Sequence, residues 1–130
     1  MNVIDSSGWL EYFIGGENAS FFAPAIQDVP NVVVPTISIY DVFRRTLIEK
    51  GRTDALEAVA IMYDGKVVDL DREIALIAAD LSIELKLPMA DSLILATARA
   101  HNAMLWTQDE HFKDIEGVKY IGKKPKKTLK

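Results

Sequence analysis

The chain has 130 residues, 49% of them hydrophobic, and its 19 acidic and 15 basic side chains give a net charge of −4. This length fits one domain with a sizeable core, and the composition excludes a chain that is disordered throughout. Cysteine is absent, which excludes disulfide scaffolds and thiolate metal sites. No apolar run approaches the ~20 residues that a membrane span requires, and residues 1–5 contain no basic leader. We therefore expect a soluble, cytoplasmic protein.

The charge is distributed unevenly along the chain. The last twelve residues contain six lysines and no acid, whereas the first 118 residues contain all 19 acidic side chains and nine basic ones. An acidic body argues against a surface that binds nucleic acid through bulk charge. It leaves open a local basic patch, or carboxylates gathered around a cation. We predict one domain over residues 1–122 and a basic tail over residues 123–130.

The amino-terminal half alternates strand-like and helix-like segments. Residues 2–5 predict a first strand, after which Trp9, Tyr12 and Phe13 follow at helical spacing. Pro24 makes the segment 17–27 ambiguous, and two short helical pieces are one interpretation of it. Residues 32–36 predict a second strand, and the amphipathic helix that follows is expected to end at Gly51.

The carboxyl-terminal half continues the alternation. Gly65 closes a helix with apolar side chains between residues 56 and 63, and residues 67–70 predict the third strand. An amphipathic helix is predicted over residues 74–85. Residues 89–100 are apolar nearly all round, as expected of a buried helix with Pro88 in its first turn. Strands at residues 104–107 and 118–121 complete the pattern.

This order of elements predicts the fold class. The five strand segments are short, continuous and often β-branched, which is typical of strands covered on both faces. Strands that alternate with helices indicate βαβ units and a parallel sheet. We predict a three-layer α/β/α sandwich around a central parallel sheet of about five strands.

Four aspartates lie at or near the carboxyl ends of the predicted strands, where open α/β sheets collect ligands. Asp5 closes the first strand, and Asp41 lies one helical turn after the second. Asp91 opens the buried helix, and Asp109 follows the fourth strand by two residues. Each one alone has an ordinary alternative as a helix cap or a solvated acid.

Convergence of these acids would require a cation. Two carboxylates ~4 Å apart repel by about 4 kcal/mol at an effective dielectric constant of ~20. Oxygen ligands without thiolates or a histidine pair favour Mg²⁺ or Mn²⁺ over Zn²⁺. One or two such ions activate water and stabilise the leaving oxygen of a phosphodiester.

Four segments of the chain resemble the four acidic motifs of PIN-domain nucleases. They are VIDSS at residues 3–7, SIYDV at 38–42, LPMADS at 87–92 and LWTQD at 105–109 followed by Phe112. The subgroup they resemble most is the VapC-like toxins of bacterial and archaeal toxin–antitoxin pairs. The resemblance covers nearly the whole chain, with the motifs in the same order and spacing.

The resemblance implies a metal-dependent endoribonuclease that hydrolyses RNA with Mg²⁺ or Mn²⁺, forms a homodimer and is blocked by a cognate antitoxin. Asp5, Asp91 and Asp109 match the family's aspartates and are the expected metal ligands. In the family, small hydroxyl side chains orient a metal ligand or a bound water. The residues that match them here are Ser6 or Ser7, and Thr107.

Asp41 departs from the family, which usually has glutamate at this position. Its side chain is one methylene shorter, so we expect it to contact a metal only through water. Asp41 remains a predicted catalytic residue, as a ligand or as the residue that positions water. The departure leaves the occupancy of a second metal site open.

Other residues have two interpretations each. Arg44, Arg45 and Arg99 meet RNA phosphates or lie on solvated helix faces, the more common explanation for such side chains. His101 and His111 lie in different predicted elements and are expected on the surface, although His111 lies two residues from Asp109. Trp9, Tyr12 and Phe13 form core or a partner contact rather than base-stacking platforms. The lysine tail is a solubilising end, a phosphate contact or a partner contact.

Other functions stay open beside the toxin nuclease. A phosphotransferase of the haloacid-dehalogenase type would use Asp5 as a nucleophile, but the aspartate expected two residues later is Ser7. A free-standing PIN nuclease of RNA processing, or a catalytically weak RNA- or protein-binding PIN domain, are the nearer alternatives. Gly15 and Gly16 form only a turn, so nothing predicts a nucleotide-binding loop.

Overall fold

The computed structural model describes residues 1–124, which contain five strands, six α-helices and two short 3₁₀ segments. The strands are β1 (Asn2–Ile4), β2 (Val32–Pro35), β3 (Lys66–Val68), β4 (Met104–Thr107) and β5 (Val118–Tyr120). The helices are α1 (Ser6–Ile14), α2 (Ala19–Gln27), α3 (Thr36–Lys50), α4 (Arg52–Met62), α5 (Arg72–Leu85) and α6 (Met89–Ala100). The 3₁₀ segments are Val29–Asn31 and Glu110–Phe112. Within residues 1–124, every helix is too short or too polar to cross a membrane.

The five strands form one parallel sheet in the order β3-β2-β1-β4-β5. Val3 in β1 lies opposite Val33 of β2 and Leu105 of β4. The chain adds strands outward from β1 to β3 and then returns to place β4 on the other side of β1. The carboxyl ends of β1 and β4 therefore border the point at which the strand order reverses, where ligands collect in open α/β sheets.

Helices cover both faces of this sheet. On one face, Val3 and Leu105 pack in a buried cluster with Ile94 of α6 and with α5. On the other face, Ile4 packs with Phe22 of α2 and with side chains of α1, α3 and α4. The predicted three-layer α/β/α architecture with a parallel sheet is confirmed.

The expectation that all strands are covered on both faces is wrong for the edges. In β3, Lys66 is exposed and Val67 is 39% exposed. In β5, Lys119 is exposed. These two strands lie at the ends of the strand order, so each has only one neighbouring strand. A short apolar run does not reveal whether a strand is central or at an edge.

The structure also resolves the ambiguous segment before β2. Residues 19–27 form the single helix α2, with Pro24 inside it. Phe22, Ala25 and Ile26 are buried, and this packing holds the helix together although the proline lacks a backbone N–H. Thr36 begins α3 instead of ending β2, so Asp41 lies in the second turn of α3. Most of the predicted basic tail lies outside the described residues, and the proposed domain boundary stays a prediction.

Candidate active site

Asp5 is held at the point where β1 passes into α1. Its backbone N–H donates to the Trp106 carbonyl oxygen at 2.9 Å, and its carbonyl accepts from Gly8 and Trp9 of α1. Its carboxylate does not cap the helix. Instead, the hydroxyls of Ser7 and Thr107 donate to its Oδ2 at 2.7 Å and 3.0 Å. Asp5 is only 3% exposed, and its carboxylate is oriented by side chains of two elements, so the ordinary explanation of Asp5 as a helix cap does not apply.

Thr107 connects two of the predicted acids. Its fully buried hydroxyl donates to Asp5 and accepts a hydrogen bond from the backbone N–H of Asp109 at 2.9 Å. One hydroxyl at the end of β4 therefore fixes the Asp5 carboxylate relative to the backbone that carries Asp109.

A second contact joins α6 to the segment after β4. Asp91 lies in the first turn of α6, and Asp109 accepts a hydrogen bond from the His111 backbone N–H at 2.9 Å. Nδ1 of His111 lies 2.9 Å from Asp91 Oδ2 and 3.1 Å from Asp109 Oδ1. Asp91, Asp109 and His111 each offer one ligand atom, and these atoms lie within 4.8 Å of one another.

Asp41 approaches the site from α3. Its Oδ2 accepts a hydrogen bond from the Ser6 hydroxyl at 3.1 Å. Ser6 therefore orients Asp41, while Ser7 orients Asp5. Asp41 is not part of the compact ligand group formed by Asp91, Asp109 and His111 within residues 1–124.

These side chains share an open cleft of about 580 Å³. It is lined by six of the seven predicted site residues, with Thr107 buried beneath them. Basic side chains also line it, namely Arg44 and Arg45 of α3 and Lys123 after β5. Arg99 lies elsewhere, where its Nη2 donates to the Glu116 carbonyl oxygen at 3.4 Å. The cleft is therefore lined by both carboxylates and cationic side chains.

The environment raises the pKa of two of the acids. Burial raises the pKa of Asp5, and the nearby charge of Asp109 adds to this effect against the hydrogen bonds from Ser7 and Thr107. Burial, followed by the charges of Asp109 and Asp5, raises the pKa of Asp91 to about 6. The charge of Asp109 and the hydrogen bond to Asp91 raise the pKa of His111. Crowded carboxylates therefore lower the cost of bringing positive charge into the cleft.

The sequence predicted His111 as a surface residue, and the structure places it in contact with the site. Its side chain is 56% exposed, as expected of a surface histidine, yet the ring contacts two site acids. The signal in the sequence is the spacing Asp109-x-His111, which is compatible with a 3₁₀ turn after β4. The contact with Asp91 lies 20 residues away in sequence and depends on packing. His101 has no comparable place, since its Nδ1 contacts the Thr97 carbonyl oxygen at 3.0 Å at the end of α6.

Comparison with known proteins identifies the family of the chain. Residues 3–118 match the model of the PIN domain family. No curated protein matches the chain significantly.

Solved structures similar to the chain share its fold. A toxin–antitoxin complex from Klebsiella pneumoniae is 24% identical, with a TM-score of 0.76 over 91% of this chain and 95% of that one. VapBC2 from Rickettsia felis, bound to a promoter DNA fragment, is 15% identical, with a TM-score of 0.72 over 93% and 97% of the two chains. The VapC20 toxin of Mycobacterium tuberculosis, described as cleaving the sarcin-ricin loop, is 14% identical, with a TM-score of 0.67 over 80% and 85%.

Proposed function

The chain belongs to the PIN domain family, and from that premise we propose that it is a divalent-metal-dependent endoribonuclease that acts as the toxin of a toxin–antitoxin pair. The observation that carries this proposal is the convergence of Asp5, Asp41, Asp91 and Asp109 in one cleft at the carboxyl ends of β1 and β4. Burial, together with neighbouring acidic charge, raises the pKa of Asp5 and Asp91, which favours a cation beside them.

The donor set fits Mg²⁺ or Mn²⁺. Within residues 1–124, neither lysine nor arginine forms an ion pair with the four site aspartates. Carboxylate oxygens from Asp5, Asp91 and Asp109 are the hard ligands that these ions prefer, and these residues would hold the ion. When bound, such an ion supplies an activated water and stabilises the charge that develops on the phosphodiester.

The side chains of the cleft supply the rest of the mechanism. Ser7 and Thr107 keep the Asp5 carboxylate in one orientation. Asp41, held by Ser6, positions the water that attacks the phosphorus in line with the leaving oxygen. Proton acceptance from that water is assigned to the carboxylate of Asp41, which is not among the three residues assigned to hold the ion.

RNA is the proposed substrate. Arg44, Arg45 and Lys123 line the same cleft as the acids, so cationic side chains are available for phosphates on either side of the scissile bond. The acidic body offers no bulk attraction, so a short contacted segment of single-stranded or structured RNA suits this site better than an extended duplex. The description of the VapC20 neighbour as a toxin that cleaves the sarcin-ricin loop supports this proposal.

The proposed partner is an antitoxin that blocks the cleft. A groove of about 220 Å³, lined by apolar and charged side chains, lies between α1, α3 and α4 and shares Leu10, Ile14 and Glu49 with the cleft. A partner seated in this groove would lie next to the cleft. We further propose a homodimer in the cytoplasm. Light scattering of the purified chain tests whether it forms a dimer. A small upstream gene that encodes a DNA-binding segment and a helical tail would support the proposed antitoxin.

The decisive experiment compares Asp5→Asn with wild type in an RNA cleavage assay with Mn²⁺ or Mg²⁺. We expect Asp5→Asn to lower the rate at least ~100-fold, because it removes a ligand charge while it preserves the shape of the side chain. Asp80→Asn is the matched control, since Asp80 is exposed on α5, away from the cleft. Equal cleavage by wild type and Asp5→Asn would contradict the proposed site. Toxicity on expression in the host, abolished by Asp5→Asn, tests the toxin role.

Asp41 in place of the family's usual glutamate favours one alternative, a catalytically weak PIN domain that binds RNA or a protein. Calorimetry separates the two functions, because the nuclease requires binding of Mn²⁺ and the weak domain does not. If the ion binds and RNA is cleaved but no antitoxin gene is found nearby, a free-standing nuclease of RNA processing becomes the better description.

A further inference from the structure

His111 is held in place from two sides. It lies in the 3₁₀ segment Glu110–Phe112, which is anchored by the fully buried Phe112. Its backbone N–H donates to Asp109 Oδ1 at 2.9 Å. The position of the imidazole beside Asp91 and Asp109 is therefore set by local structure.

The distances around Nδ1 match those between neighbouring ligands of one ion. Nδ1 lies 2.9 Å from Asp91 Oδ2 and 3.1 Å from Asp109 Oδ1. An ion that binds donors at about 2.1 Å and at right angles separates adjacent donor atoms by about 3 Å. The two distances from Nδ1 therefore fit donors of one small ion, and the three ligand atoms all lie within 4.8 Å of one another.

We propose that His111 supplies a nitrogen ligand, through Nδ1, to the ion that Asp91 and Asp109 hold. The inference rests on the proposed metal dependence and adds to it a ligand that the four acidic motifs do not include. The form of the ring that would act as the ligand is the neutral imidazole with its proton on Nε2. The side chain is 56% exposed, so water can hydrate Nε2.

A nitrogen ligand changes which ion the site prefers. Mg²⁺ is bound almost entirely by oxygen, whereas imidazole suits transition-metal ions. With His111 as a ligand, the cleft discriminates in favour of Mn²⁺ over Mg²⁺ more strongly than carboxylates alone would. Ion selectivity is thus set by a residue outside the aspartate cluster.

Pulsed electron paramagnetic resonance of the full chain loaded with Mn²⁺ tests the ligand directly. We expect the ¹⁴N modulation of a coordinated imidazole in wild type, its loss in His111→Ala, and its retention in His101→Ala. His101 is the matched control because it is the chain's other histidine and its Nδ1 contacts the Thr97 carbonyl oxygen in α6. A wild-type spectrum without ¹⁴N modulation would overturn the inference.

Calorimetry gives a second measurement that does not depend on activity. We expect His111→Ala to weaken Mn²⁺ binding about tenfold and Mg²⁺ binding less than threefold, with thermal unfolding confirming that the variant folds. Equal losses for both ions would show that His111 only orients the carboxylates, and would overturn its assignment as a ligand. A wild-type chain that binds neither ion would instead contradict the proposed function itself.

Discussion

At the scale of single residues, hydroxyl groups decide how the site acids are arranged. Ser6, Ser7 and Thr107 each donate a hydrogen bond to a site aspartate, at 2.7 to 3.1 Å. Thr107 is the most constrained of them, because its oxygen also accepts from the Asp109 backbone N–H. The motif resemblance implied that such residues orient a ligand. Their hydrogen bonds are observed, whereas their catalytic roles remain a proposal.

Thr107→Val is expected to weaken both the fold and the site. The substitution keeps the shape of the side chain but leaves the Asp109 N–H and the buried Asp5 carboxylate each without one partner, at a cost of about 1 to 3 kcal/mol in the free energy of unfolding. RNA cleavage should fall about tenfold or more. Urea denaturation and the cleavage assay measure the two effects. Thr107→Ser, which retains the hydroxyl, is the control, and a valine variant as stable and active as wild type would contradict the assigned role.

At the scale of elements, the path of α1 depends on one close contact. Gly8 lies in α1, and a Cβ atom built there would lie 2.6 Å from Phe22 Cε1 and 2.7 Å from Ile4 Cγ2. Phe22 and Ile4 are fully buried. Only glycine therefore lets α1 pack this closely against α2 and β1, directly after Asp5.

Gly8→Ala should destabilise the chain by about 1 to 3 kcal/mol, because buried side chains must shift to admit a methyl group. Thermal or urea denaturation measures the loss. Gly122→Ala serves as the control, since the nearest atom to its added Cβ is Tyr120 Oη at an ordinary 3.7 Å. Equal stability of the two variants would show that the α1–α2 contact tolerates expansion.

Residue patterns predicted the helices and strands themselves better than they predicted the burial and the neighbours of those elements. The apolar spacing of residues 74–85 and the apolar character of residues 89–100 correspond to α5 and α6, whose bounds are Arg72–Leu85 and Met89–Ala100. The edge position of β3 was not predicted, because exposure of a strand depends on how many neighbours it has. The continuity of α2 through Pro24 depended on burial of Phe22, which propensity does not describe.

At the scale of the whole molecule, the acid cluster links stability to pH. The folded chain binds a proton at Asp91 more tightly than the unfolded chain, because its pKa rises from 3.8 to about 6. The pKa of Asp5 is shifted in the same direction. Between pH 3.8 and about 6, the folded state binds more protons at Asp91 than the unfolded state does. The free energy of unfolding therefore falls as the pH increases. The raised pKa of His111 acts in the same sense, since its contribution is present below pH 6.5 and is lost as pH rises through the folded pKa.

We therefore expect the metal-free chain to be less stable at pH 8 than at pH 5. The part due to Asp91 is on the order of 1.4 kcal/mol, because its folded pKa of about 6 lies one unit above pH 5 and one pKa unit corresponds to about 1.4 kcal/mol. Urea denaturation of chelator-treated protein at the two pH values measures it. Asp91→Asn should flatten the profile, Mn²⁺ should restore stability at pH 8, and Asp80→Asn should leave the profile unchanged. Higher stability at pH 8 without metal would contradict the arrangement.

The sequence by itself determined the order of elements, the parallel sheet with helices on both faces, and the family, because these follow from local periodicity and from motifs that are contiguous in the chain. Tertiary structure alone decided which side chains meet. Asp91 contacts His111 across 20 residues, and Ser6 contacts Asp41 across 35. Such contacts depend on the angle at which α6 and α3 pack on the sheet. Burial raises the pKa of Asp5 and Asp91. It likewise depends on how the helices pack against the ends of the strands.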